Sequence, residues 1–279
     1  MLLTPMKNQA EIETWNGVVG DRWVTYQAAL DARIRIYGEQ VLARATLRRG
    51  MRVLDVGAGC GDTTLAAASA VGDTGHVVGL DISRQMLDRA RERASKLSNV
   101  ELVEHDAATF TADAPFDAII SRFGVMFFDD PAGAFANLHG AVAPGGSLTF
   151  ACWQSLADNP WAAVPLSVVQ RALPVPLPAP DPHAPGPWAL ADPERVRGIL
   201  TRAGWHDVTF TPFMHAMELG TTLDESLEYA SRMGPAARVL READEPTRAR
   251  ALDALRGALG PLAPTFTLAS AVWVVAAKR

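Results

Sequence analysis

Short apolar runs alternate with amphipathic segments along the chain from about residue 52. Each run ends at a glycine or a polar residue, as buried strands do, and the segments between them have helical spacing. Strands are predicted at 52–56, 76–81, 100–104, 116–121 and 147–152, and helices at 63–70, 84–97 and 132–142. This alternation predicts a parallel sheet in a doubly wound α/β fold, with helices on both faces because crossovers are right-handed.

The two ends of the chain follow other patterns. Two helical segments over 11–47 predict an N-terminal helical lid at residues 1–48, in front of a main domain at 49–279. Further strands are predicted at 208–213 and 267–277, and insertions at about 154–191 and 220–263.

Prolines, glycines and capping residues mark the boundaries in the second half of the chain. Seven prolines between Pro174 and Pro187 predict a stiff, extended loop. Asp192 followed by Pro193 predicts a helix start, and Gly204 predicts its end. The spacing of Thr222 and Glu225 predicts a capping box, while Gly234-Pro235 and Glu245-Pro246 interrupt the helices that follow.

A glycine-rich loop follows the first predicted strand. Glycines alternate within residues 53–64, VLDVGAGCGDTT, where positive φ and close approach of a ligand to the backbone are possible. A dinucleotide fingerprint requires glycine at the position of Asp62, and Asp55 and Asp62 would repel a pyrophosphate. The spacing therefore favours S-adenosylmethionine, which carries a sulfonium and an ammonium. The alternative is a tight strand–helix turn without a ligand.

Two carboxylates stand at predicted strand ends. Asp81 closes the second strand 20 residues after Gly61, where it could accept hydrogen bonds from both hydroxyls of a ribose. Asp106 follows the third strand and could accept one from the amine of adenine. Each has a structural alternative, since Asp81 could cap the next helix, although Ser83 is better placed, and Asp106 could cap a turn.

With these features in order, the region from about residue 50 to 153 resembles the class I S-adenosylmethionine-dependent methyltransferases. The branch is the small-molecule one that includes ubiquinone- and menaquinone-biosynthesis enzymes. The matching segments are VLDVGAGCGDTT (53–64), GLDIS (79–83), HDA (105–107), FDAIISRFGVMFF (116–128) and APGGSL (143–148). TWNGVVGDRW (14–23) with Gln27 is similar to a lid in an uncharacterised bacterial subset.

The resemblance implies a mostly parallel seven-stranded sheet of order 3-2-1-4-5-7-6. It also implies methyl transfer by in-line displacement from S-adenosylmethionine to a small molecule, with S-adenosylhomocysteine as product. The acceptor atom (O, N, S or C) stays open. The cofactor contacts that it implies are Trp23, Gln27, Asp55, Gly57, Ala58, Gly59, Asp81, Ile82, Met86, Asp106, Ala107, Ser121, Arg122 and Phe123.

Aromatic residues near the same sheet edge are the candidates for substrate contact. A lid carrying Trp15, Trp23 and Tyr26 would close over donor and acceptor, or would simply pack on the sheet. Trp153, Asn159 and Trp161 would form an acceptor wall or belong to the core. The tentative substrate residues are Trp15, Tyr26, Met126, Trp153, Trp161 and His183.

No catalytic residue is assigned, because proximity and alignment can supply much of the catalysis of a methyl transfer. His183 could act as a general base, or it could be an exposed loop histidine. No Cys/His cluster has metal-ligand spacing, so no metal is expected.

Composition and charge limit the classes of partner and the cellular compartment that the sequence allows. The net charge of −5 over 279 residues, without a Lys/Arg run, argues against nucleic acid. Residues 1–7 are too short and mixed for a signal peptide, and the apolar stretch 262–277 is shorter than the roughly 20 residues of a membrane helix. Two cysteines suit a reducing compartment, so a cytoplasmic protein without a membrane partner is expected. Helical residues 223–259 could form a homodimer surface or pack on the main domain.

Three other functions remain open. An NAD(P)-dependent reductase would bind NAD in place of S-adenosylmethionine. A non-catalytic cofactor-binding protein would bind tightly without turnover. An RNA or protein methyltransferase is disfavoured by the acidic balance and the lack of an Asn- or Asp-Pro-Pro-Tyr motif, and salt-dependent RNA binding would support it.

Overall fold

The computed structural model describes residues 8–175 and 181–279, and the chain divides into two compact units. Unit 1 contains Met1–Cys152, His183–Pro212 and Trp273–Arg279, and unit 2 contains Trp153–Pro182 and Phe213–Val272. The boundary at residues 48 and 49 between a lid and a main domain stays a prediction.

One mixed sheet has the strand order β3-β2-β1-β4-β5-β7-β6, which confirms the predicted fold class and order. Strands β1 to β5 pair in parallel. Backbone bonds from Gly145 N to Arg279 O and from Gln154 N to Ala271 O run antiparallel between β5 and β7. The strands are β1 (Arg52–Val56), β2 (His76–Asp81), β3 (Val100–Glu104), β4 (Phe116–Arg122), β5 (Val142–Trp153), β6 (His206–Glu218) and β7 (Thr267–Lys278).

The N-terminal part contains three helices, so the prediction of two helical segments was wrong. Gly17 is in an extended conformation and separates the first two helices, and Tyr26 separates the second from the third. The helices are α1 (Gln9–Trp15), α2 (Val18–Thr25), α3 (Gln27–Ala45), α4 (Asp62–Val71), α5 (Arg84–Ala94), α6 (Pro131–Ala141), α7 (Pro160–Ala172), α8 (Pro193–Arg202), α9 (Leu223–Arg232), α10 (Gly234–Glu242) and α11 (Glu245–Leu259).

Capping explains where the later helices begin. Asp192 Oδ1 accepts hydrogen bonds from the backbone N–H groups of Glu194 and Arg195, which confirms the predicted start of α8. Thr222 caps α9 through the N–H of Glu225, 3.2 Å away. The Glu225 carboxylate reaches Thr221 N rather than Thr222 N, so the predicted capping box forms in only one direction.

Each unit has its own hydrophobic core. In unit 1 the central strands β1 and β4 are buried on both faces, as Val53, Leu54, Ile119 and Ile120 are all 0% exposed. Strands buried in this way require helices on both sides of the sheet. In unit 2, α7 packs with α10 and α11 around Val168, Val169, Ala236, Val239, Leu240, Ala251 and Leu255.

Across the described residues, no helix combines the length and the apolar character that crossing a bilayer would require.

Candidate functional site

Backbone hydrogen bonds fix the glycine loop to the end of β2 in unit 1. Gly57 N and Ala58 N both donate to the carbonyl of Leu80, at 2.8 and 3.1 Å. Gly59 N donates to Asp81 Oδ2 at 2.7 Å. Gly57 and Gly59 have φ of 73° and 54°, the left-handed region that favours glycine. These bonds therefore hold the loop at the carboxyl end of the sheet, where ligands of such folds bind.

The end of β4 packs against the same loop. The buried Ser121 hydroxyl donates to the carbonyl of Val56 at 2.7 Å and accepts from Gly124 N at 3.2 Å. Phe123 has a φ of 67°, rare for a residue with a side chain, and its ring meets that of Tyr37 at 5.5 Å. A strained residue next to a ligand loop is typical of functional sites.

Asp55 places a buried carboxyl group near the end of β1, next to the glycine loop. Its Oδ2 accepts hydrogen bonds from the hydroxyls of Thr63 and Thr64, at 2.7 and 2.6 Å. Its Oδ1 is buried and has no hydrogen-bond partner among the described residues. Burial raises the pKa of this carboxyl, against the lowering effect of the two hydroxyl groups. An unpartnered, buried carboxylate oxygen fits a cationic ligand group, such as an ammonium, and would repel a phosphate.

Asp81 lies between the glycine loop and α5. Its Oδ1 accepts from Ser83 N at 2.8 Å, and Oδ2 accepts from Gly59 N. Burial raises its pKa to about 6 although these backbone bonds act in the opposite direction. Ser83 occupies the N-cap position of α5, yet its side chain makes no capping bond. The expectation that Ser83 caps this helix is therefore wrong, because Asn16 Oδ1 accepts from Arg84 N instead, at 2.9 Å.

Asp106 is held in place at the end of β3. Its Oδ1 accepts from Ala108 N at 2.9 Å, and both oxygens accept from Asn8 Nδ2. The neighbouring Ala107 is buried, and its carbonyl accepts from Asn137 Nδ2 at 2.9 Å. Asp106 and Ala107 thus lie at the same strand edge as Asp81, as their predicted role requires.

A cluster of paired charges lies behind the glycine loop. Arg122 Nη1 lies 2.7 Å from Asp62 Oδ2, and Arg122 Nη2 lies 3.8 Å from Asp31 Oδ1. Arg93 pairs with Asp31 at 2.9 Å. The buried Gln27 amide donates to Asp31 and accepts from Arg89. Gln27 and Arg122, both predicted cofactor contacts, therefore take part in an internal network that joins α3, α5 and β4.

The N-terminal helices lie across the strand ends of unit 1. Trp15 meets Trp23 at 6.0 Å and Phe127 at 5.1 Å, both edge to face. Asn16 Nδ2 donates to the carbonyl of Ile82 at 2.7 Å. Met86, on α5, lies close to Gly59, since a Cβ added to that glycine would lie 3.0 Å from the Met86 Cε. The structure thus brings the predicted residues Trp15, Trp23, Ile82 and Met86 to one edge of the sheet.

The other candidate substrate residues of unit 1 are more dispersed. Tyr26 is half-buried at the junction of α2 and α3. Met126 is buried, and its carbonyl accepts from Gly186 N at 3.0 Å, which anchors the second part of the proline-rich loop. His183 lies in an exposed part of that loop. Residues 176–180 of the same loop lie outside the described residues.

Trp153 and Trp161 belong to unit 2, where their rings meet at 4.9 Å. Both are at least nine-tenths buried. Asn159 organises this pair, since its Oδ1 accepts from the Trp161 indole N–H at 3.1 Å and from Ala271 N at 2.8 Å. Their observed surroundings are those of a packed core.

Three asparagines that fix the site were not predicted from the sequence. Asn8, Asn16 and Asn137 connect segments that are far apart along the chain, 98 residues in the case of Asn8 and Asp106. A single amide of this kind produces no periodic signal. Within residues 8–175 and 181–279, no group of three His, Cys, Asp or Glu side chains could hold a metal ion.

The strand order, the glycine loop on β1 and the carboxylates at the ends of β2 and β3 together define the class I methyltransferase fold. Residues 53–146, about a third of the chain, match the family described as "Methyltransferase domain". The similarity to that family therefore extends from β1 to the beginning of β5.

Demethylmenaquinone methyltransferase of Staphylococcus aureus is 35% identical over 113 residues. That alignment covers 40% of this chain and 47% of the relative, so the chain matches about half of that protein's length.

Two solved structures share the fold. Phosphoethanolamine N-methyltransferase 2 of Haemonchus contortus, in complex with phosphomonomethylethanolamine and S-adenosylhomocysteine, has a TM-score of 0.52 at 21% identity, over 87% of this chain and 52% of that one. The cyclase SpnF has a TM-score of 0.54 at 17% identity, over 93% of this chain and 95% of that one.

Proposed function

We propose that this protein transfers a methyl group from S-adenosylmethionine to a small molecule. The observation that carries the proposal is the bond between the Asp81 carboxylate and the Gly59 N–H, which fixes an acidic side chain at the mouth of a glycine loop. A carboxylate at the end of the second strand is where a ribose is bound in folds of this type. The match of residues 53–146 to the methyltransferase domain supports the same cofactor.

The residues of the site fit the chemical groups of this cofactor. The unpartnered Oδ1 of Asp55 suits its ammonium, and the backbone of Gly57 to Gly59 suits its methionine portion. Asp81 would accept from the ribose hydroxyls, and Asp106 from the adenine amine. Asp55, next to the glycine loop, favours a cationic group there over the pyrophosphate of NAD, whereas Asp81 and Asp106 would suit the adenosine of either cofactor.

S-adenosylmethionine supplies a methyl carbon activated by a positively charged sulfur. The task of the protein is then to bind, align and exclude water. Trp15, Trp23 and Phe127 form an aromatic cover at this edge that can keep water out. A general base is needed only for an acceptor that must lose its proton during attack. His183 remains our candidate for that role, because it lies in the loop that Gly186 anchors to Met126.

A small-molecule acceptor is supported by the relative in Staphylococcus aureus, which by its name methylates demethylmenaquinone. The net charge of −5 offers little attraction to nucleic acid. We retain the expectation of a cytoplasmic enzyme without a membrane or nucleic-acid partner. A homodimer formed through residues 223–259 also stays a proposal, which sedimentation velocity would test.

A second candidate function is cofactor binding without methyl transfer. The observation that favours it is the similar fold of a protein named as a cyclase, since one fold can serve several chemistries.

Methyl transfer can be tested with S-adenosylmethionine labelled at the methyl carbon. The purified protein would be incubated with a panel of quinols, phenols, amines and thiols, and labelled products would be separated by mass spectrometry. The proposal predicts a labelled product that is lost in Asp81→Ala and retained in Gly140→Ala, whose added Cβ meets no atom within 4 Å. Tight cofactor binding with no labelled product from any acceptor class would favour the non-catalytic alternative.

A further inference from the structure

Asn8 is a helix-capping residue that does not cap its helix. It precedes α1 at the N-cap position, where an asparagine side chain normally accepts from the N–H groups of the first turn. Here the side chain makes no such bond, although the residue is only 6% exposed and has a φ of 62°. The amide is used elsewhere, on two loops at the carboxyl edge of the sheet.

The Asn8 amide makes a paired donor and acceptor contact at this edge. Its Nδ2 lies 3.1 Å from both Oδ1 and Oδ2 of Asp106. Its Oδ1 accepts from the backbone N–H of Asp129 at 2.8 Å. Asp106 follows β3, and Asp129 follows the turn after β4, so the amide connects the two sides of the proposed adenine position.

An adenine edge presents the same pattern as this amide. Adenine carries an exocyclic amine, which donates, next to a ring nitrogen, which accepts. A carboxylate beside a backbone N–H is the complementary pair. We propose that Asp106 and the Asp129 N–H together recognise the amine edge of adenine, and that Asn8 competes with adenine for that pair. This inference rests on the proposed function.

The geometry makes the two occupants mutually exclusive. A donor 3.1 Å from both oxygens of one carboxylate occupies the position between them, so adenine could reach Asp106 only through the outer side of Oδ2 while Asn8 is in place. Ala108 N already uses a further acceptor position of Asp106 Oδ1. The Asp129 N–H has a single hydrogen, which Asn8 Oδ1 accepts. Adenine therefore gains this pair only when Asn8 leaves it.

The consequence is a reduced apparent affinity for the cofactor. A protein whose binding-competent form is a fraction of the population binds more weakly by that fraction. Asn16 and Ser83 hold α1 by other bonds, to Ile82 O and Trp15 O, so release of Asn8 need not detach the whole segment. Removing the Asn8 amide should thus strengthen binding without removing the cover.

The experiment is calorimetric titration of the full chain with S-adenosylhomocysteine. Asn8→Ala should bind about ten- to one-hundredfold more tightly than the unaltered protein, the range expected for loss of one hydrogen bond to a charged group. Gln9→Ala is the matched control, because the Gln9 side chain bonds to the exposed Glu13, four residues along the same helix, and to no other side chain among the described residues. The affinity of this variant should be unchanged. Thermal unfolding would show that each variant is folded.

A second background separates competition from a general loosening of α1. In Asp106→Ala the carboxylate partner of Asn8 is gone and only the bond from the Asp129 N–H remains. Adding Asn8→Ala in that background should therefore raise the affinity clearly less than it does in the unaltered protein. Unchanged or weaker binding by Asn8→Ala alone, or the same gain in both backgrounds, would overturn the inference while leaving the proposed function intact. Failure of every variant, the unaltered protein included, to bind S-adenosylhomocysteine would reject both.

Discussion

Gly57 and Gly124 meet backbone to backbone, so that a Cβ on Gly57 would lie 2.6 Å from the Cα of Gly124. The contact joins the glycine loop after β1 to the turn after β4. Gly57 also has a φ of 73°, so both its conformation and its surroundings exclude a side chain. The two loops that form the proposed cofactor site can thus approach this closely only because neither residue has a side chain.

Substituting Gly57 by alanine should therefore destabilise the fold and abolish cofactor binding. Positive φ and backbone overlap together should lower the free energy of unfolding by about 2–4 kcal/mol, measured by urea denaturation. Gly140→Ala is the control, because Gly140 is in α6 with open space around it, and that variant should be unchanged or up to about 1 kcal/mol more stable. Equal stability of the two variants would contradict the packing described.

Cofactor affinity should depend on pH through Asp81. Burial raises its pKa to about 6, and the ribose hydroxyls need an ionised acceptor. The dissociation constant for S-adenosylhomocysteine, titrated between pH 5 and 8, should rise as the pH falls through about 6.

The raised pKa of Asp81 also makes the stability of the fold depend on pH, in the opposite direction to the cofactor affinity. The native state keeps the Asp81 proton up to about pH 6, whereas the unfolded chain loses it near 3.8, so this group's contribution to stability falls as the pH rises through that window. Asp81→Asn should bind more weakly and lack both dependences. A variant that keeps the acid-induced loss of affinity would show that another group titrates.

The paired charges behind the glycine loop should contribute to stability through Arg122. Arg122→Met leaves Asp62 with one close partner fewer and should lower the free energy of unfolding by about 2–4 kcal/mol. The side chains of Arg122 and Asp62 are only 9% and 11% exposed. Arg84→Met removes an exposed pair with Glu104, and its unfolding midpoint should stay where it is. Similar losses in both variants would argue that the buried pair has no special role.

Asn159 should be a stability residue of unit 2. It is fully buried, and its amide bonds to Trp161 Nε1 and to both backbone groups of Ala271. Asn159→Ala should cost about 2–4 kcal/mol and increase hydrogen exchange in α7, whereas Ser231→Ala, which removes only an exposed hydrogen bond to the carbonyl of Glu228, should do neither. Normal exchange in α7 of the first variant would contradict this assignment.

The parallel half of the fold was predictable because its local motifs follow one another in a regular order along the chain. Strand ends at Val56 and Asp81, with helices between, dictate a parallel sheet through the right-handed crossover. The ends of strands and helices could not be predicted where a single residue changes the backbone conformation. The sequence APGG at 143–146 looks like a turn, but β5 begins at Val142 and accommodates it with a shift in register against β4. Similarly, α7 continues through Pro165, which sequence rules place at a helix end.

The candidate site was predictable only in its motif residues. Asp81 and Asp106 could be placed because each follows an apolar run, and both stand at the strand ends. The contacts of Asn8 could not be foreseen, since they join Asp106 and Asp129, which are 98 and 121 residues away. Long-range bonds made by one neutral amide depend on the finished fold and have no counterpart in local propensity.

The central claim is most directly tested by calorimetric titration of the purified, nucleotide-stripped protein with S-adenosylmethionine, S-adenosylhomocysteine and NAD. The account predicts saturable one-site binding of the first two, weakened at least about tenfold in Asp81→Ala, and no binding of NAD. Binding of NAD alone, with no heat from either adenosyl compound, would contradict the account and indicate a dinucleotide-dependent enzyme.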